Sequence, residues 1–251
     1  MPENLLIPSI DLRIGALEEY NRRQKEKAFR QQREEKPRHC VTISREFGCE
    51  GYPLSEKLCE MMIRNTGEQW VIIDKAVLEE VARRHNISDD LLKGLGKRNR
   101  ILDDVLSTFS PQWKSDHDYF QMLCRHVISL AKQGNTIILE LGGAIITRHI
   151  EHSYHFRVFG SMEFKVSSIS QRLELDPEEA KKLIERQQKL RDRFTKDFLN
   201  QDDHNPALYD MLFNNDRNSP EKMACMIACH LENEIRACGG LPMARKRVMG
   251  S

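Results

Sequence analysis

VTISREFGCEGYPLSEKLCEMM, residues 41–62, joins a short apolar run to a glycine-punctuated loop and an amphipathic segment. That order is strand, turn, helix, which places backbone N–H groups and the positive end of a helix around phosphate. Gly48 and Gly51 permit the tight turn, and Leu54, Leu58, Met61 and Met62 recur at helical spacing behind it. Ser44, Arg45, Phe47, Gly48, Cys49, Glu50, Gly51 and Tyr52 are the candidate contacts to a bound phosphate group. The side chains differ from the standard loop, GxxxxGK[ST]. With the strand ends superposed, Arg45 falls at the first glycine, Glu50 at the second, Gly51 at the lysine and Tyr52 at the Ser/Thr. Arg45 can supply the missing positive charge, because a guanidinium pairs well with phosphate oxygens. Glu50 opposes it by bringing negative charge near an anion. Pro53 removes a backbone donor but suits the first turn of a helix. A glycine-containing turn that binds nothing has the same outline, so this stretch alone leaves both readings open.

Outward from the loop, apolar runs alternate with helical patterns. Residues 70–74 (WVIID), 136–139 (TIIL), 156–159 (FRVF) and 208–214 (LYDMLFN) read as further strands. Residues 76–85, 162–173, 177–200 and 219–237 read as helices, and Asp176-Pro177-Glu178-Glu179 is a strong helix start. The alternation predicts an α/β fold, a parallel sheet covered on both faces. Ligands of such sheets sit at the carboxyl ends of the strands. Arg45, Gly48, Asp74, Glu140 and Gly142 all follow strand ends and are predicted to cluster.

Residues 1–38 read as a charged helical arm with a thin apolar stripe, Leu12, Ile14, Leu17 and Tyr20. Such a helix packs on the domain or on a neighbouring subunit, or is a solvated arm. The main domain spans 39–240, and 241–251 form a basic tail expected to be disordered. A chain of 251 residues, 31% charged and 39% hydrophobic, suits one substantial domain with appendages. A net charge of +1 gives no pull toward nucleic acid or membrane. No aromatic-basic interleaving favours nucleic acid, and no apolar run approaches a bilayer span. Seven scattered cysteines without a CxxC pair, and an amino terminus without a secretory pattern, predict a reduced, cytoplasmic setting. Cys225 and Cys229 share a helix face and are expected as buried thiols rather than metal ligands. Cys49, near a helix amino terminus, is expected to have a lowered pKa. No residue is assigned as a metal ligand.

Several short motifs, in order, resemble the cytidylate-kinase-like proteins, a branch of the nucleoside monophosphate kinases with a modified phosphate loop. ISREFG at 43–48, with Gly51 following, resembles their loop. Ile73-Asp74-Lys75 resembles their segment after the second strand, residues 164–172 the helix after the fourth, and residues 208–214 a late strand. Lys189, Arg191 and Arg193 are similar to the basic residues of their lid. The resemblance implies a P-loop kinase-type three-layer fold: a central parallel sheet flanked by helices, a helical acceptor-binding region within 86–133 and a helical lid over 176–204. It implies ATP and Mg2+, γ-phosphoryl transfer to a nucleotide or other small acceptor, and leaves room for a homodimer.

The resemblance also implies roles. Arg45 and the loop amides would hold the donor phosphates, and Lys189, Arg191 and Arg193 would meet the transferring group from the lid. A solvated face paired with Glu185 and Asp192 is the alternative for the lid residues. Asp74 would position a magnesium-bound water or an acceptor hydroxyl, or merely cap the helix after it. Lys75, Gly142, Gly143 and Arg98 would face the acceptor. Glu140 would contact a polar or cationic acceptor, or pair with a lid arginine. Four positions depart from the family pattern: Glu50 stands for glycine, Tyr52 for a basic residue, Leu141 for an arginine and Gln188 for an aspartate. Two functions fit these departures, a phosphotransferase with an altered acceptor and a catalytically degenerate pseudokinase serving as a nucleotide-binding regulator or scaffold.

Overall fold

β1 (Cys40–Arg45) is the middle strand of the sheet, with parallel neighbours on both sides. In the computed structural model, which describes residues 7–30, 38–84 and 116–237, Cys40 aligns with Thr136 of one neighbour and Ser153 of the other. These are β3 (Thr136–Leu139) and β4 (Ser153–Phe159). β2 (Val71–Ile73) and β5 (Met211–Asn214) complete a five-stranded parallel sheet of order β2-β3-β1-β4-β5. A parallel sheet buried on both faces reads as near-continuous apolar runs, here Val41, Ile43, Ile137, Ile138, Phe156 and Val158. All five carboxyl ends therefore share one edge.

Helices α2 (Gly51–Thr66) and α8 (Pro220–Ala237) cover one face, where Leu54, Leu58, Met62, Met223, Ile227 and Leu231 form a single apolar cluster with the strands. On the other face lie α1 (Ile10–Arg30), α3 (Lys75–Arg84) and α4 (Asp116–Gln133). Ile14, Leu17 and Tyr20 of α1 are buried there with Val77, Leu123, Val127 and Ile138, and Leu12 points to solvent. A short α5 (Gly143–Ile146) follows β3. α6 (Met162–Leu173) and α7 (Pro177–Leu199) pack on the loop after β1 through Phe47, Ile169, Ala180 and Ile184. The start of α7 is set by Asp176, whose carboxylate accepts the N–H groups of Glu178 at 2.9 Å and Glu179 at 3.0 Å.

Three expectations change. β5 starts at Met211 and not at 208, because Pro206–Leu208 form a 3-10 turn in which Asn205 accepts the Ala207 N–H at 3.0 Å. β4 starts earlier than the apolar run suggests, at Ser153. Cys225 and Cys229 are exposed, since the core face of α8 is Met223, Ala224, Ile227, Ala228 and Leu231. Arg98, with the rest of 85–115, and the tail at 241–251 lie outside the described residues. Among the described residues no helix is long and apolar enough to cross a membrane.

Candidate functional site

The loop after β1 closes around Arg45. Its guanidinium folds back so that Nη1 donates to the Cys49 carbonyl at 3.0 Å. Gly51 makes this possible: a Cβ there would lie 2.3 Å from Arg45 Cδ. The loop amides are directed inside the protein. Phe47 donates to Gln188 Oε1 at 2.8 Å, Cys49 to the Glu46 carbonyl at 3.1 Å and Glu50 to Asn215 Oδ1 at 2.8 Å. Asn215 returns a bond to the Glu50 carboxylate at 3.1 Å, which turns that charge away from the loop interior. Outside the loop, Lys165 pairs with Glu46 at 2.7 Å and Arg172 donates to the Gly48 carbonyl at 2.9 Å. Cys49 is fully buried, and burial, helped by the Glu46 carboxylate, pushes its thiol up to about 12. The expected lowering fails because desolvation outweighs the helix end. Burial also raises the Tyr52 phenol.

The end of β3 is strained. Glu140, Leu141 and Gly142 have φ of 68°, 64° and 66°, and the Gly143 N–H closes the turn on the Glu140 carbonyl at 3.0 Å. Left-handed backbone costs a non-glycine residue about 1–2 kcal/mol, so surrounding contacts must hold this turn. They do so through the Glu140 carboxylate. Oε1 accepts the Arg45 N–H at 3.1 Å and lies 3.6 Å from Arg45 Nε. Oε2 lies 2.9 Å from Arg191 Nη1. Arg191 also donates to the Arg45 carbonyl at 3.2 Å and stacks 5.1 Å over the Phe47 ring. Glu140 thus ties the loop to α7, and the expected pairing with Arg191 is present. Gly143 is packed against Thr42 and Ile138.

Of the three basic lid positions only Arg191 faces this site; Lys189 and Arg193 are exposed. Residues two apart on a helix lie on opposite sides, so a K-x-R-x-R run cannot aim all three at one point. α7 is seated over the site. Gln188 donates to Asp192 at 2.7 Å, and Phe194 and Phe198 meet Phe120 of α4 with ring centroids 6.0 and 5.1 Å apart. At the end of β2, Asp74 caps α3 by accepting the Val77 N–H at 3.0 Å, and it pairs with Arg13 of α1. Lys75 lies 3.6 Å from Glu79.

Between the strand ends, α3, α4 and α7 lies a cavity of about 490 Å³, the size of a small-ligand site. Ser44, Arg45, Phe47, Tyr52, Asp74, Lys75, Glu140, Gly142 and Arg191 line it, as do Arg13, Gln187, Phe194 and Tyr209. Gly48, Cys49, Glu50, Gly51 and Gly143 do not. Sequence reasoning missed Arg13, and it singled out Gln188 without foreseeing its bond to the Phe47 N–H. Arg13 had a signal, because it shares the i, i+4, i+7 spacing of Leu17 and Tyr20. Asp192, Asp203 and His204 bring three ligand atoms within 4.8 Å, but Arg157 already neutralises Asp203 at 2.9 Å.

A glycine loop between a central parallel strand and a helix, in a five-stranded parallel sheet flanked by helices, defines a P-loop kinase-type fold. The sequence matches the cytidylate kinase-like family over residues 40–217, and the chain belongs to that family. No curated protein matches it. Among solved structures, an uncharacterized protein from Eubacterium ventriosum shares the fold with a TM-score of 0.57 and 16% identity, over 78% of this chain and 99% of that one. Shikimate kinase from Bacteroides thetaiotaomicron aligns with a TM-score of 0.44 and 8% identity, over 80% of this chain and 99% of its own. Dephospho-CoA kinase from Campylobacter jejuni aligns with a TM-score of 0.34 and 10% identity, over 77% and 97%.

Proposed function

We propose that this protein is an ATP-dependent phosphotransferase that passes the γ-phosphoryl group to a nucleotide or other small acceptor held in the cavity. The observation that carries the reading is the convergence of Arg45, from the loop, and Arg191, from the lid, on one anionic group, the Glu140 carboxylate. Phosphoryl transfer needs positive charge around a dissociating group and little covalent chemistry. These arginines offer that charge at the carboxyl ends of β1 and β3, where ligands of parallel sheets bind. ATP would take their charge in exchange for Glu140. Mg2+ finds no ready hydroxyl at the start of α2, where Tyr52 is buried and Ser55 Oγ donates to the Gly51 carbonyl at 2.8 Å. It would enter with the nucleotide phosphates. A reduced cytoplasmic setting belongs to the same reading, which the buried free thiols of Cys40 and Cys49 fit.

The test is ADP formation from Mg2+-ATP across a panel of nucleoside monophosphates and small alcohols. Acceptor-dependent ADP, lost in Arg45→Ala and in Arg191→Ala, is expected. No ADP with any acceptor counts against the reading.

A pseudokinase is the second reading, and a specific observation favours it: the loop amides and the Arg45 guanidinium already bond within the protein. Reversion separates the two. Glu50→Gly with Tyr52→Arg and Leu141→Arg raises nucleotide affinity sharply in a decayed site, and lowers native activity in a specialised enzyme.

A further inference from the structure

The family match begins at residue 40, yet the cavity draws a cation from before that point. Arg13 belongs to α1 and lines the cavity beside Asp74. Its place is fixed by packing. Arg13, Leu17 and Tyr20 fall at helical spacing on one face, and Ile14, Leu17 and Tyr20 are buried in the cluster that holds Ile73, Leu123 and Leu141. The Tyr20 hydroxyl donates to the Gly134 carbonyl, a second anchor. The Arg13 and Asp74 side chains are only 12% and 15% exposed. Both Asp74 oxygens are engaged, one by the Val77 N–H at 3.0 Å and the other by Arg13 Nη1. The Arg13 Nε–H, in contrast, is buried with no acceptor among the described residues. A buried donor without an acceptor is unfavourable and rare in native structures. Arg45 Nε is likewise buried without a hydrogen bond, but a carboxylate oxygen of Glu140 lies 3.6 Å from it; Arg191 pairs with the same carboxylate and Lys75 lies 3.6 Å from Glu79.

We propose that Arg13 is a specificity-determining residue of the acceptor side, recognising an oxyanion, a phosphate monoester or a carboxylate, with Asp74 holding the guanidinium in position. A planar guanidinium offers several N–H groups in a fork that matches either oxyanion, so one can stay on Asp74 while others bind the ligand. The word acceptor rests on the phosphotransferase reading; the oxyanion site itself does not. α1 then does more than cover the sheet, because it carries a recognition residue that the family domain alone lacks.

The experiment is calorimetry on the full chain and on Arg13→Ala, Arg13→Gln, Arg13→Lys and Asp74→Asn, with the melting temperature of each recorded. The probes are inorganic phosphate, the four common nucleoside monophosphates, succinate and citrate, and separately Mg2+-ATP. At least one oxyanion probe is expected to bind the wild type. Arg13→Ala should weaken it about tenfold or more, the loss of a charge-assisted hydrogen bond, with ATP affinity kept within about twofold. Arg13→Lys should recover part of the loss, and Asp74→Asn should weaken the probe less than Arg13→Ala does. The responding probe class separates phosphate from carboxylate. If Arg13→Ala does not stay folded, Arg13→Gln carries the comparison. Unchanged probe affinity in a folded Arg13 variant overturns the proposal, as does a wild type that binds no oxyanion probe. Probe binding that depends on Arg13, in a wild type that binds no ATP, overturns the phosphotransferase reading and supports this one.

Discussion

Replacing Glu140 by alanine removes the carboxylate that joins loop and lid, and the consequences can be worked from three contacts: Arg191 Nη1 at 2.9 Å, the Arg45 N–H at 3.1 Å and Arg45 Nε at 3.6 Å. Two unit charges about 4 Å apart interact by about 4 kcal/mol at an effective dielectric of 20. Hydrogen bonds to charged groups contribute about 1.5–3 kcal/mol each. The gross gain is reduced because Glu140 and Arg191 are 23% and 24% exposed and the desolvation of Glu140 is recovered on removal. A net loss of about 2–3 kcal/mol follows, the lower side of a broken buried pair. For a chain of this size that is a fall in Tm of about 4–12 °C. The two guanidinium groups are left facing each other, so an added anion should restore what the carboxylate supplied. Thermal melts in phosphate-free buffer, with and without tripolyphosphate, read the first effect. Calorimetry with ATP reads the second, a gain in affinity of about tenfold because the anion no longer competes with Glu140. Glu140→Gln, which keeps the shape and loses the charge, should follow the alanine variant. An unchanged Tm together with an unchanged ATP affinity refutes the claim that Glu140 holds these arginines.

Gly51→Ala places a Cβ 2.3 Å from Arg45 Cδ, so Arg45 must leave the loop, and an ATP affinity at least about tenfold weaker is expected by calorimetry; equal affinity shows that Arg45 is not seated there. Gln188→Ala leaves the Phe47 N–H without its acceptor at 2.8 Å, at a cost of about 1–3 kcal/mol. Faster hydrogen exchange at Phe47 should report it, and wild-type protection would contradict the loop-to-lid clasp. His39 is 4% exposed, and burial, with His152 nearby, pushes its imidazole from 6.5 down to about 4. The unfolded chain therefore binds the proton first. Stability is full above pH 6.5 and is lost as pH falls from 6.5 toward 4, by at most about 1.4 kcal/mol per unit from this residue. Urea midpoints at neutral and mildly acidic pH should show a steeper decline in wild type than in His39→Leu, and equal declines would count against it.

The loop and strands were legible because a buried parallel strand writes itself as an unbroken apolar run and a βα turn as glycines. The clustering of Arg45, Asp74, Glu140 and Gly142 followed from topology alone, since every strand points the same way. What pairs with what was less legible. The pairing of Glu140 with Arg191 depends on the left-handed turn after β3, which no residue pattern announces. The lid run looked uniform in one dimension, while helical periodicity turns Lys189 and Arg193 outward. Cys49 was misjudged because helix ends are visible in a sequence and burial is not. Arg13 was hidden by composition: in a segment crowded with charges, one arginine on the apolar stripe reads as one more solvated residue.

The most direct test of the donor site is a calorimetric titration of Mg2+-ATP into the wild type and into Arg45→Ala. Micromolar binding in the wild type, lost in the variant, is the expected result, and it would establish Arg45 as the centre of a working donor site. No binding to the wild type at millimolar nucleotide would contradict a working donor site, and would leave the fold as that of a protein that no longer handles ATP.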